Sequence, residues 1–345
     1  MSGMDQKIPD KNDIETAVQN AEEVVTKEEI QDIISRKTFN FYYGTAPTGP
    51  FHFAYLIPLN KLIQLADIGG RGTILLADYH AHLDSQKTSF ELMEIRSKYY
   101  EECIRGVLGK DANKLDFVRG SSYQHERDYV EDLYKIAAKV TTTRAKRAAS
   151  EVVRMRGDAK VSELLYPLLQ ILDVKYLDAD ITVGGIDQRN IYMLGRELLE
   201  DVGGKKGAYI FMPLLPSLRG GGAKMSASDA LSHIRVTDDP NEIRSTIEKA
   251  YCPAEDLDDN AITSTVRYII FPRTGKIVIP RKEKFGGDIE FSRIDEFEKA
   301  YTSGNLHPLD VKQAVSGYLI ELLAPARKYF ERHSDLLEEI ETTFD

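Results

Sequence analysis

The apolar positions of this chain change period several times, and each change marks an element. Over residues 12–36, Ile14, Val18, Val24, Val25, Ile30, Ile33 and Ile34 recur at roughly helical spacing on an acidic background. That pattern predicts one amphipathic helix or two short ones. From Phe39 onward, short apolar runs alternate with longer periodic ones. Phe39 to Tyr43 ends at Gly44, Thr73 to Ala77 is bounded by Gly72 and Asp78, and Leu115 to Arg119 ends at Gly120. Asp180 to Val183 runs into Gly184-Gly185, and Tyr209 to Met212 precedes Pro213. These five read as strands. Leu56 to Ala66 and Phe90 to Leu108 read as helices between them. Short apolar strands separated by helices predict an α/β fold, a Rossmann-like parallel sheet with crossover helices.

About sixty residues separate the third strand from Asp180, mostly helical in pattern, whereas a parallel crossover needs only about a dozen. The excess, approximately residues 121–178, reads as an insertion. Beyond Arg235 the pattern turns helical, over Asn241 to Ala250, Thr263 to Ile270 and Pro308 to Leu323. Lys276 to Phe291, with Gly286-Gly287, reads as an irregular or hairpin excursion. The predicted organisation is an N-terminal helical extension (1–36), an α/β domain (37–235) and a mostly helical C-terminal domain (236–345).

Composition narrows the setting. A chain of 345 residues is long enough for two buried cores. No apolar run approaches the length of a membrane span. The acidic N-terminus reads as neither a secretory signal nor a transit peptide. Cys103 and Cys252 are the only cysteines, which excludes a disulfide framework and suits a reducing cytoplasm. The net charge of −10 argues against a chain coated in nucleic acid. Yet Lys139, Arg144, Lys146, Arg147, Arg154, Arg156 and Lys160 crowd one stretch, against only Glu151 and Asp158. A local basic face on an acidic body suits RNA docked at one place; a solvated helix surface would look the same.

Three segments carry candidate chemistry. In Gly44-Thr45-Ala46-Pro47-Thr48-Gly49-Pro50-Phe51-His52-Phe53-Ala54-Tyr55, small residues follow a strand and lead into a helix. Backbone there can approach a phosphate, the helix N-terminus attracts the anion, and His52 can donate to an oxygen on which charge builds. An ordinary Gly/Pro turn capped by a histidine fits this segment equally well. In the second segment, Gly220-Gly221-Gly222 precede Ala223-Lys224-Met225-Ser226-Ala227-Ser228. A lysine on a glycine-hinged loop can meet charge that appears mainly in a transition state. In the third, Tyr166, Gln170 and Asp173 stand at i, i+4 and i+7, on one helix face among leucines. An unpaired buried polar group costs on the order of 1–3 kcal/mol, so the three either pair with each other or surround a ligand. The following Gly184-Gly185-Ile186-Asp187-Gln188-Arg189 adds strand-end polar groups and favours the ligand.

Together and in this order, the first two segments resemble the signature motifs of class I aminoacyl-tRNA synthetases. The third points to the tyrosyl-tRNA synthetases of archaeal and eukaryotic cytosolic type. The resemblance runs from about Lys37 to nearly the C-terminus. It implies a tyrosine–tRNA ligase using ATP and Mg²⁺, with L-tyrosine and tRNA(Tyr) as partners, a homodimer contacting through the insertion, and no editing domain. By the same resemblance, Tyr42 and Asp173 bind the substrate phenol, while Tyr166, Gln170 and Gln188 hold its α-amino group. Asp78, Tyr79, His80, Tyr123 and Gln124 line that pocket. Gly44, Thr48, Gly49, His52, Ala54, Gly185, Asp187, Lys224 and Met225 serve ATP. His52, Tyr55, Lys224, Ser226 and Ser228 form the catalytic set, and the protein supplies no metal ligand. Arg144, Lys146, Arg147 and Arg189 face the acceptor end of the tRNA, and His307 and Asp310 its anticodon. For His307 and Asp310 a helix-start role is equally good, with Pro308 at the first helical position.

The chain departs from the class pattern twice. The usual His-x-Gly-His is His52-Phe53-Ala54-Tyr55, and the second lysine of the lysine loop is Ala227. The rival readings are a tryptophanyl relative, against which the Tyr42–Asp173 pair counts, another nucleotidyl transferase, and a non-catalytic RNA-binding protein on the same scaffold.

Overall fold

The computed structural model describes residues 11–84, 87–153, 158–225 and 232–344. Its helices are α1 (Lys11–Val18), α2 (Lys27–Ser35), α3 (Leu56–Asp67), α4 (Asp78–Leu83), α5 (Met93–Leu108), α6 (Arg127–Ala137), α7 (Thr142–Ala149), α8 (Val161–Tyr176) and α9 (Arg189–Leu198). Then follow α10 (Pro240–Lys249), α11 (Ala261–Thr265), α12 (Phe271–Thr274), α13 (Ile294–Thr302), α14 (Pro308–Glu331) and α15 (Ser334–Glu341). The strands are β1 (Glu23–Val25), β2 (Phe39–Thr45), β3 (Gly70–Leu76), β4 (Leu115–Arg119), β5 (Ile181–Gly185), β6 (Ala208–Met212), β7 (Ile277–Ile279) and β8 (Ile289–Phe291).

Two compact units result. The first comprises residues 1–48, 61–101 and 110–213. It holds a six-stranded sheet in the order β1-β6-β5-β2-β3-β4. The five strands expected from the sequence are β2 to β6, and their pairings are all parallel. All five positions of β6 are buried, as expected where helices cover both faces of a parallel sheet. Tight interstrand packing explains Gly72 in β3, where a Cβ would lie 2.4 Å from the Phe41 ring and 2.5 Å from Leu115.

One expectation is corrected. Residues 12–36 are not purely helical: Glu23–Val25 form β1, which pairs antiparallel with the outer edge of β6, Val24 opposite Ile210. Val24 and Val25 belong to a strand, and α2 begins immediately afterwards. Thr26 Oγ1 accepts from Glu29 N at 3.2 Å and Glu29 Oε2 accepts from Thr26 N at 3.1 Å, a reciprocal cap that fixes the start of α2. The extension is held to the unit by polar contacts as well. Arg196 of α9 pairs with Glu29 at 2.7 Å. Lys61 of α3 donates its Nζ to the carbonyls of Thr16 and Gln19, each at 2.9 Å.

The second unit comprises residues 49–60, 102–109 and 214–345. It is mostly helical, with one two-stranded hairpin, β7–β8, inside the predicted excursion. Asp239 caps α10 by accepting from Asn241 N and Glu242 N, with Pro240 in the first turn. The predicted helix over 263–270 is α11 followed by a π-helical turn over Val266–Ile270, and Pro308 opens a helix longer than expected, reaching Glu331.

Candidate active site

The helix α8 delivers its three polar residues as the spacing predicted. Tyr166, Gln170 and Asp173 are all buried within the first unit. Asp173 has no exposed surface, and three donors converge on its Oδ1: Tyr123 OH at 2.8 Å, Gln124 Nε2 at 2.7 Å and Tyr129 OH at 3.0 Å. Its Oδ2 has no hydrogen-bond partner. Burial pushes the carboxyl up to about 7, although Gln124, Tyr123 and Tyr129 pull it down. His80 Nε2 lies 3.7 Å from Asp173 Oδ2. Burial lowers the pKa of His80 to about 3, so at neutral pH this approach joins a neutral ring to a carboxyl group. Neither ring nitrogen of His80 has a hydrogen-bond partner.

The loop after β4 owes its shape to Asp78, at the start of α4. Asp78 Oδ1 accepts from Tyr79 N and Ser121 N, and its Oδ2 from the Ser121 hydroxyl at 2.5 Å. This anchors the short turn Gly120–Ser122, which presents Tyr123 and Gln124. Gly120 leaves the necessary room: a Cβ there would sit 2.6 Å from Gln124 Oε1 and 3.0 Å from Asp78 Oδ1. The other pocket candidates also gather. Gln170 Nε2 donates to Gln188 Oε1 at 2.8 Å, and Gln188 Nε2 reaches Asp187 Oδ1 at 3.3 Å. The Tyr166 ring meets His80 edge-on at 4.8 Å. Tyr42, fully buried in β2, shares a hydrogen bond with Tyr192 OH at 2.9 Å. Burial, then Tyr192 and Asp173, push the Tyr42 hydroxyl far above its ordinary range.

In the second unit the histidine segment meets the stretch that follows the lysine segment. Phe53 N donates to Ile234 O at 3.0 Å and Val236 N to Phe51 O at 3.1 Å, so residues 51–53 lie strand-like against 234–236. The His52 ring packs 4.6 Å from Tyr55 and 5.3 Å from His233. Burial first, and His233 second, hold His52 near pKa 3, so it is a neutral donor or acceptor at physiological pH. Tyr55 stacks on Phe51 at 4.3 Å. The lysine segment folds back on Leu215–Ser217: Met225 N donates to Leu215 O and Ser217 N to Ala223 O, each at 2.8 Å. Met225 is buried and Lys224 exposed. Gly220, Gly221 and Gly222 all have positive φ, +67°, +86° and +72°, which side-chain-bearing residues rarely adopt. Ser226 and Ser228 lie outside the described residues, as do Arg154 and Arg156 of the basic stretch.

The RNA candidates are more dispersed. Lys146 and Arg147 are exposed on α7. Arg144 pairs with Glu197 at 2.5 Å and Arg189 with Glu23 at 2.6 Å. His307 is exposed and caps α14, its Nδ1 accepting from Leu309 N at 3.2 Å. Asp310 lies in the first turn of that helix.

Sequence reasoning missed Tyr129, Tyr192 and His233. Each meets its partner across 44, 150 or 181 positions (173 − 129, 192 − 42, 233 − 52). Tyrosines on the inner faces of amphipathic α6 and α9 were the available signal, but nothing local says which hydroxyl reaches which group.

A parallel sheet, an inserted helical segment, a pocket of hydroxyls and carboxylates, and a histidine segment joined to the stretch after a glycine-hinged lysine loop together define a class I synthetase architecture. Known proteins agree. The family of class I tRNA synthetases (W and Y) matches residues 35–324. A tyrosine–tRNA ligase of Haloarcula marismortui is 40% identical, covering 94% of this chain and 96% of the relative. The cytoplasmic tyrosine–tRNA ligase of Saccharomyces cerevisiae is 38% identical, covering 92% and 84%. The solved tyrosyl-tRNA synthetase of Archaeoglobus fulgidus, complexed with L-tyrosine, matches with a TM-score of 0.88 at 42% identity, over 92% of this chain and 98% of that one. The chain belongs to the class I tRNA synthetases of the W and Y family. Within it, these relatives place the chain with the archaeal and eukaryotic tyrosine–tRNA ligases.

Proposed function

We propose that this chain activates L-tyrosine with ATP and transfers it to tRNA(Tyr), and that Asp173 is the residue that identifies the amino acid. The observation that carries the reading is the half-satisfied carboxyl group, with three donors on Oδ1 and no partner on Oδ2, in a fully buried site beside Tyr42. A phenol donating to Oδ2 completes it. A phenyl ring leaves it unpaired, at a cost on the order of 1–3 kcal/mol or more for a charged group. Tyr166, Gln170 and Gln188 hold the substrate ammonium, and Asp187 adds negative charge nearby.

The substrate carboxylate is already ionised at neutral pH, so its attack on the α-phosphorus needs no general base. A carboxylate oxygen–phosphorus bond forms as the bridging bond to the β-phosphate breaks, and pyrophosphate leaves. The terminal ribose hydroxyl of the tRNA then attacks the activated carbonyl and releases AMP. The protein supplies positioning and charge stabilisation. His52, as a neutral imidazole, donates one N–H to a phosphate oxygen. Gly44, Thr48, Gly49, Ala54 and Gly185 let backbone approach the nucleotide. Lys224, carried by the glycine hinge and anchored by Met225, meets charge on the departing pyrophosphate. Ser226 and Ser228 follow Lys224 in the same sequence segment.

Magnesium, when bound, would be held by the phosphates of ATP and would offset their charge. Among the described residues no group of three His, Cys, Asp or Glu side chains is arranged to hold a metal ion. Tyr55, stacked on Phe51, keeps the His52 ring in place. Lys146 and Arg147, with Arg144 and Arg189, serve the acceptor end, and His307 and Asp310 the anticodon. The family resemblance supports a homodimer working in the cytoplasm, and no helix among the described residues is long and apolar enough to cross a membrane.

The test is amino-acid-dependent ATP–pyrophosphate exchange with tyrosine, tryptophan and phenylalanine. Exchange with tyrosine alone is the expected result. Exchange with tryptophan moves the chain to the other branch of the family. No exchange, from folded protein that still binds tRNA, identifies a non-catalytic RNA-binding protein.

A further inference from the structure

The groups placed around Asp173 come from several elements; α7 also packs on α8, its buried residues being alanines and its Arg144, Lys146 and Arg147 exposed. Tyr42 comes from β2, Asp78 and His80 from α4, and Tyr123 and Gln124 from the turn after β4. Tyr129 comes from α6, Tyr166 and Gln170 from α8 itself, Asp187 from the turn after β5, and Tyr192 from α9. The groups that weigh most on Asp173 are Gln124, Tyr123, Tyr129 and Asp78, with no lysine or arginine among them. His80 is neutral. Every tyrosine hydroxyl here is driven above its ordinary ionisation, with burial the largest cause at each. Several nearby protons are committed within the protein, while the neutral His80 ring keeps one N–H without a partner. Tyr123 OH and Gln124 Nε2 donate to Asp173 Oδ1, and Tyr129 OH to Oδ1 or to Leu169 O at 2.9 Å. Tyr42 and Tyr192 share one hydrogen bond, which uses one of their two hydroxyl protons.

Resting on the tyrosine reading above, we propose that this pocket selects its substrate by proton count. It admits the phenol and Asp173 only as a pair holding one proton between them, and it rejects the pair that has lost it. A phenol donating to Oδ2 of the carboxylate and a phenolate accepting from a protonated Asp173 are the same complex. With both groups ionised, two negative charges meet in a buried site where no lysine or arginine is among the groups that weigh most on Asp173. The affected substrates are ring-substituted tyrosines with acidified phenols. Their activation should collapse once both their own hydroxyl and Asp173 have ionised.

The measurement is kcat/KM for ATP–pyrophosphate exchange against pH, using tyrosine, 3-fluorotyrosine and 3,5-difluorotyrosine, whose phenols become steadily more acidic at little change in size. The alkaline limb should fall by about tenfold per pH unit. It should shift downward with each fluorine, and stop shifting at the ionisation of Asp173, near 7. Fluorine size changes the height of each profile but not the position of its limb. A limb at the same pH for tyrosine and difluorotyrosine overturns the proposal, as does activity that rises through the analogue's ionisation. Asp173→Asn supplies an independent arm. Its amide can donate to a phenolate, so any residual exchange should lose the analogue-dependent limb; retention of that limb overturns the assignment to Asp173. A wild-type protein with no tyrosine-dependent exchange at any pH overturns the underlying tyrosine reading, an outcome distinct from either of these.

Discussion

Replacing Asp173 by asparagine should make the protein more stable while sharply lowering its activity, and the gain should depend on pH in a calculable way. In the unfolded chain this carboxyl ionises near its ordinary value of 3.8; in the fold, burial raises it to about 7. Below the first value both states carry the proton. Between the two, the folded state keeps a proton that the unfolded state has released, so each pH unit costs about 1.4 kcal/mol of stability. Above about 7 the loss is complete, on the order of 4 kcal/mol for a shift of about three units. Between about pH 5.5 and about pH 8.5 the wild type should therefore lose about 2 kcal/mol that the variant keeps. Asparagine still accepts from Tyr123, Gln124 and Tyr129, so the pocket retains its shape. Urea unfolding followed by circular dichroism at the two pH values measures the difference, and titrations common to both proteins cancel. Parallel pH dependences, with a constant gap between wild type and variant, would refute the buried-charge argument. The expected pattern is a trade of stability for recognition.

Three further outcomes follow from the geometry. Lys224→Ala should slow single-turnover adenylate formation by about 10²–10³, the range for loss of one transition-state charge partner, with equilibrium tyrosine binding nearly unchanged; equal losses in both would place Lys224 in ground-state binding. Gly120→Ala pushes Gln124 away from Asp173, so tyrosine affinity should drop about tenfold or more, a hydrogen-bond-sized loss, with ATP binding retained; unchanged tyrosine affinity would show that the turn tolerates a Cβ. Lys61 is lowered by burial to about 7, so its folded form sheds a proton that the unfolded chain retains, and stability should rise with pH from about 7 by up to about 1.4 kcal/mol per unit. In Lys61→Met that rise should be missing from the urea midpoints, and an equal rise in both proteins would contradict it.

Most of the α/β core was legible because its strands are short apolar runs punctuated by glycine, a signal that survives without tertiary information. β1 was not, because three residues cannot establish a period of two, and Val24 and Val25 also satisfy a helical spacing. The pocket was legible on α8, where one helix carries three of its groups at i, i+4 and i+7. It was illegible wherever two elements had to meet. Tyr129 and Tyr192 look like any tyrosine on an amphipathic helix until the fold brings their hydroxyls to Asp173 and Tyr42. His233 likewise gains meaning only when residues 234–236 line up beside 51–53. The reading of His52 as a phosphate partner came from its segment alone; its neutrality came from burial, which no spacing encodes.

The short strand at the N-terminal edge has a consequence for the chain's behaviour in solution. Ala208–Met212 is a run of Ala-Tyr-Ile-Phe-Met, every position buried, and on one side its backbone groups pair with Glu22–Val25. A strand so apolar and so rich in β-forming residues is a template for pairing with another chain once its edge is bare. The acidic, three-residue β1 covers that edge and ends the ladder with Glu23, whose carboxylate is held by Arg189. It thus serves as a guard against self-association. Loss of Glu22–Val25 from that edge would offer this apolar strand to the next molecule.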